Sequence, residues 1–257
     1  IQNHDEWVAQ INGWKNKYEM PHHAPREVIQ LIRELTRLYE PMEPYVTTGV
    51  GQHQMFVAEF WKFFAEPGRN MLLTSGGLAP MGAGVPFAAG ALLAEPNRPV
   101  YVFNGDGSAL MDIRSLTFGY LLRDRLAQHG NGIKEVIFRD NNLGMVRNWQ
   151  QQMYGGKFHA TDLSDLIPLN YFKDSAKAAQ FAYYKADYRK SNTDMNRTAI
   201  TEFVKHRGNA ILEVRMLPVE ALPMTPGTKS VADAYLPNGQ KVESTDLLVG
   251  RNWNTAK

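Results

Sequence analysis

Short apolar runs alternate with helically periodic segments along the chain, and the apolar runs stop at glycine or at Asp/Asn-rich turns. The clearest case lies between Val100 and Val146. Val100, Tyr101, Val102 and Phe103 form a run that breaks on Asn104-Gly105-Asp106-Gly107-Ser108. Leu110, Ile113, Leu116, Leu121 and Leu122 then recur at helical spacing. Val136, Ile137 and Phe138 follow and end on Asp140-Asn141-Asn142-Leu143-Gly144. This order predicts a βαβ unit with a polar turn where each strand ends. In an open parallel sheet such turns lie side by side at the carboxyl edge, where ligands bind.

The same reading extends outward. Trp7, Ile11, Trp14 and Tyr18 predict an amphipathic helix over residues 1–20, and Val28, Leu31, Ile32, Leu35 and Leu38 predict a second over 27–39. Between them, His22-His23 among prolines reads as a solvated loop. Tyr45 to Thr48 is a short strand ending at Gly49-Val50-Gly51-Gln52-His53, followed by a helix over 55–64 with Phe56, Phe60, Trp61 and Phe64 packed inward. Leu72 to Thr74 precedes Ser75-Gly76-Gly77-Leu78-Ala79-Pro80-Met81-Gly82, and the small apolar residues of 85–93 suit a helix buried against a sheet. Leu126 to Gly132 reads as a loop extension, 150–159 as a polar lid, 170–205 as helical overall, and Ala210 to Val214 as the last strand. The expected fold is α/β, three-layer α/β/α with a mostly parallel sheet. Residues 1–40 form a helical lead-in, 41–227 the main domain and 228–257 a loose tail or cap.

Composition narrows the function classes. Hydrophobic residues at 44% and charged residues at 21% describe an ordinary globular protein. A net charge of +2 gives no reason to expect nucleic acid or an anionic membrane as partner. The absence of cysteine excludes a disulfide framework, a thiolate nucleophile and a Cys-ligated metal. No apolar run has the length of a membrane span and no leader pattern opens the chain, so a soluble, cytoplasmic protein is expected.

The two polar turns carry the candidate chemistry. Mg²⁺ takes octahedral oxygen ligands, commonly one or two side chains plus phosphate oxygens and water. Asp106 supplies charge, Gly105 and Gly107 let the backbone approach a ligand, and Ser108 could cap the following helix or donate to a phosphate. Asp-Gly and Asn-Asn are also ordinary turn residues. Their joint placement at the ends of neighbouring strands is what favours a magnesium diphosphate.

GDGS followed by a helix, a strand and Asn-Asn resembles the signature of thiamine diphosphate enzymes. TTGVGQHQM (Thr47 to Met55), LTSGGLAPMGAGVPFAAGA (Leu73 to Ala91), LGMVRNWQ (Leu143 to Gln150) and LPMTPG (Leu222 to Gly227) resemble the catalytic subunit of acetohydroxyacid synthase (acetolactate synthase). The resemblance implies a thiamine diphosphate-binding fold with Mg²⁺ as second cofactor. It implies cofactor contacts at Val50, Gly51, Gln52, His53, Ala79, Met81, Gly105, Asp106, Gly107, Ser108, Gly144, Met145 and Val146. Met81 would wedge between the two cofactor rings, Met145 and Val146 would cover the thiazolium, and Trp149 would sort 2-oxo acid substrates. A structural reading of the same residues makes His53 a core histidine and Met81 core filler.

The metal ligands that the resemblance implies are Asp106 and a residue of the second turn. Counting back from Gly144 gives Asp140, whereas counting from the Asn-Asn pair gives Asn142, with the Gly144 carbonyl as a further ligand. The implied reaction decarboxylates a 2-oxo acid such as pyruvate and joins the remainder to a second 2-oxo acid, as in branched-chain amino-acid biosynthesis. An activating glutamate would come from a pyrimidine-binding domain, on another chain or in an N-terminal half, making the working enzyme a homo- or hetero-oligomer. FAD would enter only through a domain outside this sequence. A 2-oxo acid decarboxylase, a pyruvate oxidase-type relative and an inactive cofactor-binding module are the alternatives. An organellar location is the alternative for a eukaryotic source.

Overall fold

The computed structural model describes residues 4–17, 22–63, 71–191 and 193–219. Residues 23–219 form one compact unit, and residues 1–22 group with 220–257 in another. Of the second group, the helix α1 (Asp5–Lys17) is described, with Asp5 and Glu6 in its first turn where the helix dipole favours acids; residues 1–3 and 18–20 of the expected span lie outside the described residues. Tyr18, Phe64, Leu222 to Gly227 and the tail over 228–257 lie outside the described residues.

The 23–219 unit carries α2 (Ala24–Tyr39), β1 (Tyr45–Thr48), α3 (Gln52–Phe60), β2 (Leu72–Leu73), α4 (Gly84–Ala94), β3 (Val100–Gly105) and α5 (Asp106–Asp112). A 3₁₀ turn leads into α6 (Leu116–Ala127), followed by β4 (Ile133–Arg139), α7 (Gly144–Tyr154), α8 (Tyr171–Ala178), β5 (Ala182–Asp187), α9 (Thr193–Lys205) and β6 (Ala210–Arg215). The strands pair in the order β2-β1-β3-β4-β6-β5, all parallel. The expected βαβ unit is present, with Val100 opposite Ile133 and Gly105 opposite Phe138.

A sheet covered on both faces explains the unbroken apolar strands. Val100 and Val102 of β3, with Ile133 and Ile137 of β4, meet α4, α6 and α8 through Val85, Ala88, Leu92, Leu126 and Phe172. The alternate residues face the other way. There Tyr101 meets Trp61 and Phe203, and Phe138 meets Phe103 and Phe56. The Tyr101 hydroxyl accepts from Thr36 of α2 at 3.0 Å. Alanine and glycine dominate α4 because it lies close: a Cβ on Gly84 would come within 2.8 Å of Val102 Cγ1 and 3.0 Å of the Gly49 nitrogen.

Several local expectations change. The predicted helical stretch over 170–205 contains β5, so Tyr183 and Tyr184 are strand residues. Leu126, read as loop, is a buried residue of α6. Residues 150–154, read as a polar lid, continue α7, which ends at Gly155 in the left-handed conformation (φ 60). His23, read as solvated, is the N-cap of α2, where its Nδ1 accepts from the Arg26 N–H at 3.1 Å and its ring lies 5.2 Å from that of Phe60. Among the described residues no helix is long and apolar enough to cross a membrane.

Gly132, just before β4, packs backbone to backbone: a Cβ there would overlap the Gly208 carbonyl carbon and lie 2.5 Å from the Asn209 nitrogen. Neither neighbour is a side-chain end that can swing away. Gly132→Ala is therefore expected to lower unfolding free energy by about 3 kcal/mol, the upper part of the usual overpacking range. Urea denaturation checks this.

Candidate functional site

The strand order fixes where a cavity forms. From β1 the chain runs to β2 on one side, and from β3 it runs to β4 on the other. The carboxyl ends of β1 and β3 are thus a topological switch point, where segments diverge and leave a crevice. A cavity of about 250 Å³ occupies it.

Four segments supply most of the lining of this cavity. The turn after β1 and the start of α3 supply Val50, Gly51, Gln52 and His53, and the loop after β2 supplies Ala79 and Met81. The end of β3 and start of α5 supply Gly105, Asp106, Gly107 and Ser108. The turn after β4 and start of α7 supply Asp140, Asn142, Gly144, Met145 and Val146. Trp149 lies further along α7 and does not line it. Phe56, Phe138, Leu143 and Met216 also line the cavity and were not singled out in the sequence. Phe138 and Met216 were accessible to one general rule, that residues closing parallel strands face the carboxyl edge.

Close backbone approach explains the glycines here. Gly51 has φ 154, which disfavours any side chain. A Cβ on Gly107 would fall 2.7 Å from Leu143 Cδ2 and 3.2 Å from Met81 Cε, so Met81 reaches directly over the α5 N-terminus. A Cβ on Gly144 would collide with the Gln52 carboxamide oxygen. Ala79, by contrast, keeps a side chain at φ 49 in an exposed loop.

Asp106 and Asp140 hold the chemistry of the cavity. Asp106 is buried, and its Oδ1 accepts from the Gly107 N–H at 2.8 Å. Its Oδ2 accepts from the Asn141 N–H at 2.6 Å, which joins the two strand-end turns directly. Burial, then the charge of Asp140, raises the Asp106 carboxyl above the usual range, and the two N–H bonds and Arg139 oppose this. Burial also raises Asp140, opposed by the Asn142 N–H. Asn142 donates its N–H to Asp140 Oδ1 at 2.9 Å and its Nδ2 to the Asp140 carbonyl at 2.7 Å, leaving its Oδ1 free of that pair.

Asn141 takes the left-handed conformation (φ 57) and turns its side chain to Arg139, so it points out of the cavity. The turn is pinned by Leu143 N–H to Thr161 O and Leu163 N–H to Asn141 O, both at 2.8 Å. Gly144 opens α7 and lines the cavity.

Ser108 lines the cavity and is already engaged. Its Oγ accepts from the Gly82 N–H at 2.9 Å and donates to Asn104 Oδ1 at 3.2 Å, and it does not cap α5. Asn104 is the hub beneath the cavity: it also accepts from the Gly49 N–H at 3.0 Å and donates to Glu135 at 2.7 Å. Burial pushes the Glu135 carboxyl up to about 7.

His53 is buried, its Nε2 has no protein partner, and burial lowers its pKa to about 4 against an opposing bond with the Gly49 backbone. It is a neutral imidazole at neutral pH. Between pH 6.5 and 4 the folded chain binds fewer protons at this residue than the unfolded chain, so its contribution to stability is present above 6.5 and lost toward 4. Glu135, whose pKa is raised, acts with the opposite sign, losing its contribution as pH rises toward 7. We expect the stability difference between the chain and His53→Gln to shift by about 3 kcal/mol between pH 7 and pH 4. Denaturation of both at each pH checks this, because the Glu135 contribution cancels in the comparison.

The donor set fits a magnesium ion. It offers a buried carboxyl, a half-buried one and a carboxamide, all with oxygen donors, and a divalent cation would relieve the burial that raises both acids and the repulsion that raises Asp106. Among the described residues no cluster of three or more His, Cys, Asp or Glu forms a self-sufficient metal site, so the remaining ligands would come from phosphate and water.

Residues 49–214 match the model of a family described as thiamine pyrophosphate enzyme, C-terminal TPP binding domain. The chain is 35% identical over 196 residues to the acetolactate synthase large subunit of Lactococcus lactis, covering 74% of this chain and 31% of that protein. It is 32% identical over 237 residues to the mitochondrial acetolactate synthase catalytic subunit of Saccharomyces cerevisiae, covering 88% of this chain and 32% of that protein. It thus spans about a third of the length of the relatives it matches. A crystal structure of benzoylformate decarboxylase from Polynucleobacter necessarius shares the fold, with a TM-score of 0.60 at 20% identity over 80% of this chain and 36% of that one.

Proposed function

The chain belongs to the thiamine pyrophosphate enzymes, as their C-terminal TPP-binding domain, and from that membership we propose that its cavity holds the diphosphate end of thiamine diphosphate through Mg²⁺. The observation that carries this reading is the meeting of four separated segments around the buried Asp106 and the half-buried Asp140 at one switch point. Asp106 and Asp140 bind the metal by their carboxyls and Asn142 by an oxygen. Gly51 and Gln52 contact the diphosphate, and His53 meets it through Nε2, which has no protein partner; its bond to the Gly49 backbone keeps the proton of the neutral ring on the other nitrogen, so Nε2 donates to a phosphate oxygen only when the ring is protonated on binding. Met81, held over Gly107, bends the cofactor. Met145 and Val146 cover its reactive ring and Trp149 stands toward the substrate.

Bound thiamine diphosphate would supply the nucleophilic carbon and the electron sink for loss of CO₂ from a 2-oxo acid. The chain's own part is to neutralise the diphosphate, fix the bend and keep water from the reacting carbon with Met81, Met145 and Val146. We further propose that the product is acetolactate or acetohydroxybutyrate, on the similarity to the two acetolactate synthases. A pyrimidine-domain partner would contribute the proton-transferring glutamate, in cytoplasm or organelle.

Two experiments test this. Calorimetric titration of thiamine diphosphate should show binding with Mg²⁺ and none with EDTA. Addition of a pyrimidine-domain chain and pyruvate should then yield acetolactate. Acetaldehyde alone would make the chain part of a decarboxylase, and binding without turnover would make it a cofactor-binding module.

A further inference from the structure

A second cavity, of about 540 Å³, opens at the opposite edge of the sheet, where β5 and β6 begin. Four cationic side chains stand around it: Arg123 from α6, Lys173 and Lys177 from α8, and Arg207 from the turn after α9. None of the described residues lining it is acidic. Lys173 and Lys177 are four apart and share a helix face. The whole chain has 28 Lys and Arg against 26 Asp and Glu, so this one hollow gathers a local charge twice the chain's net +2.

Two of these cations have acid partners, both at the long end of ion-pair distance. Asp124 is 3.5 Å from Arg123 and largely exposed, and Glu40 is 3.6 Å from the exposed Arg207 and 3.8 Å from Lys134. The floor is fixed by the core. Asn209 accepts from the Ile133 N–H and donates to the Gly119 carbonyl, both at 2.8 Å. Phe181 fills the space that a side chain at Gly119 would need.

We propose that this hollow binds a small polyanion carrying several phosphate groups. Lysine and arginine converging on a concavity recognise multivalent oxyanions through charge-assisted hydrogen bonds. The volume suits a small molecule, and the charges ring a hollow instead of forming the stripe that a nucleic acid or acidic polypeptide would follow. Strands of six residues separate the two sheet edges by roughly 17–20 Å, so the two cavities can be filled independently.

The test is a titration of tripolyphosphate into the full chain in EDTA, followed by amide chemical shifts. Saturable shifts should appear at Lys177, Gln180 and Arg207. Lys173→Gln with Lys177→Gln should weaken binding at least about tenfold. Lys185→Gln with Lys190→Gln, exposed cations outside the hollow, should leave it unchanged. Adenosine triphosphate titrated in parallel distinguishes sources: tighter binding assigns a nucleotide, weaker binding an inorganic polyphosphate. Shifts confined to Gly107 and Asn142, equal weakening by both lysine pairs, or tighter binding of hexaglutamate would each overturn the proposal. All of these readings are made without magnesium or thiamine diphosphate, so they stand or fall separately from the first cavity.

Discussion

Asp106→Asn should cut magnesium-dependent affinity for thiamine diphosphate by about a hundredfold or more while leaving the fold as stable or more so. Two effects with opposite signs make this expectation sharp. A carboxylate ligand carries formal charge that a carboxamide lacks, and changes even in groups that only support metal ligands cost about 10–100-fold. In the free chain, however, the Asp106 carboxyl is buried beside Asp140 and its charged form is disfavoured. A neutral isostere relieves that, and its oxygen can keep the Asn141 N–H bond that joins the two turns. Calorimetry of binding and thermal unfolding, on the same samples, separates the two effects. Loss of stability together with binding would mean that Asp106 is a structural turn residue. Unchanged binding would remove it from the metal site altogether.

Arg139→Met should cost about 3 kcal/mol of stability, the scale on which breaking one side of a buried ion pair is felt. Arg139 is buried at the end of β4. Its guanidinium donates to Glu213 at 3.2 Å, to the carbonyls of Ile167, Pro168 and Leu169, and to Asn141 Oδ1 at 2.8 Å. Methionine keeps the length and the packing on Phe172 but leaves three carbonyls and the Asn141 oxygen without this donor. Glu213 retains Arg215 at 2.7 Å and the Tyr183 hydroxyl, so the loss falls chiefly on the loop and on the turn that carries Asp140 and Asn142. Magnesium-dependent cofactor binding should therefore weaken even where the variant remains folded. Binding at the parent affinity, measured below the variant's unfolding temperature, would show that the turn holds its shape without Arg139.

Much of this was legible because parallel strands end abruptly. A run such as Val100 to Phe103 broken by Gly-Asp-Gly marks a carboxyl edge, and Gly51, Met81 and Asp140 stand at similar breaks. What escaped the sequence has a physical reason in each case. Glu135 lies in the middle of an apolar strand, where alternation would put it in solvent; a sheet covered on both faces buries it against Asn104 instead. β5 is an edge strand with several half-exposed residues, and Tyr183-Tyr184-Lys185 between two helices offers no clean period of two. Ser108 stands where a phosphate donor is expected, but its hydroxyl is already engaged by Gly82 and Asn104, a pairing that depends on a loop 26 residues away. Trp149 shares a helix with Met145 and Val146, yet its place relative to the cavity depends on the rotation of α7, which no local pattern encodes.

The strand order also sets a sequence of events in time. β6, the latest in the chain of the described strands, inserts between β4 and β5, which are made before it. Until it docks, β4 is an open edge on that side, and Arg139 lacks Glu213, its partner from that strand. On a growing chain the cavity's four strand-end segments are therefore all made before the β6 carboxylate that completes the Arg139 pair. Non-local pairing of this kind is slow to form, so the contact with Glu213 is added beneath an acidic turn whose other bonds, to residues 161–169, come from chain made before β6.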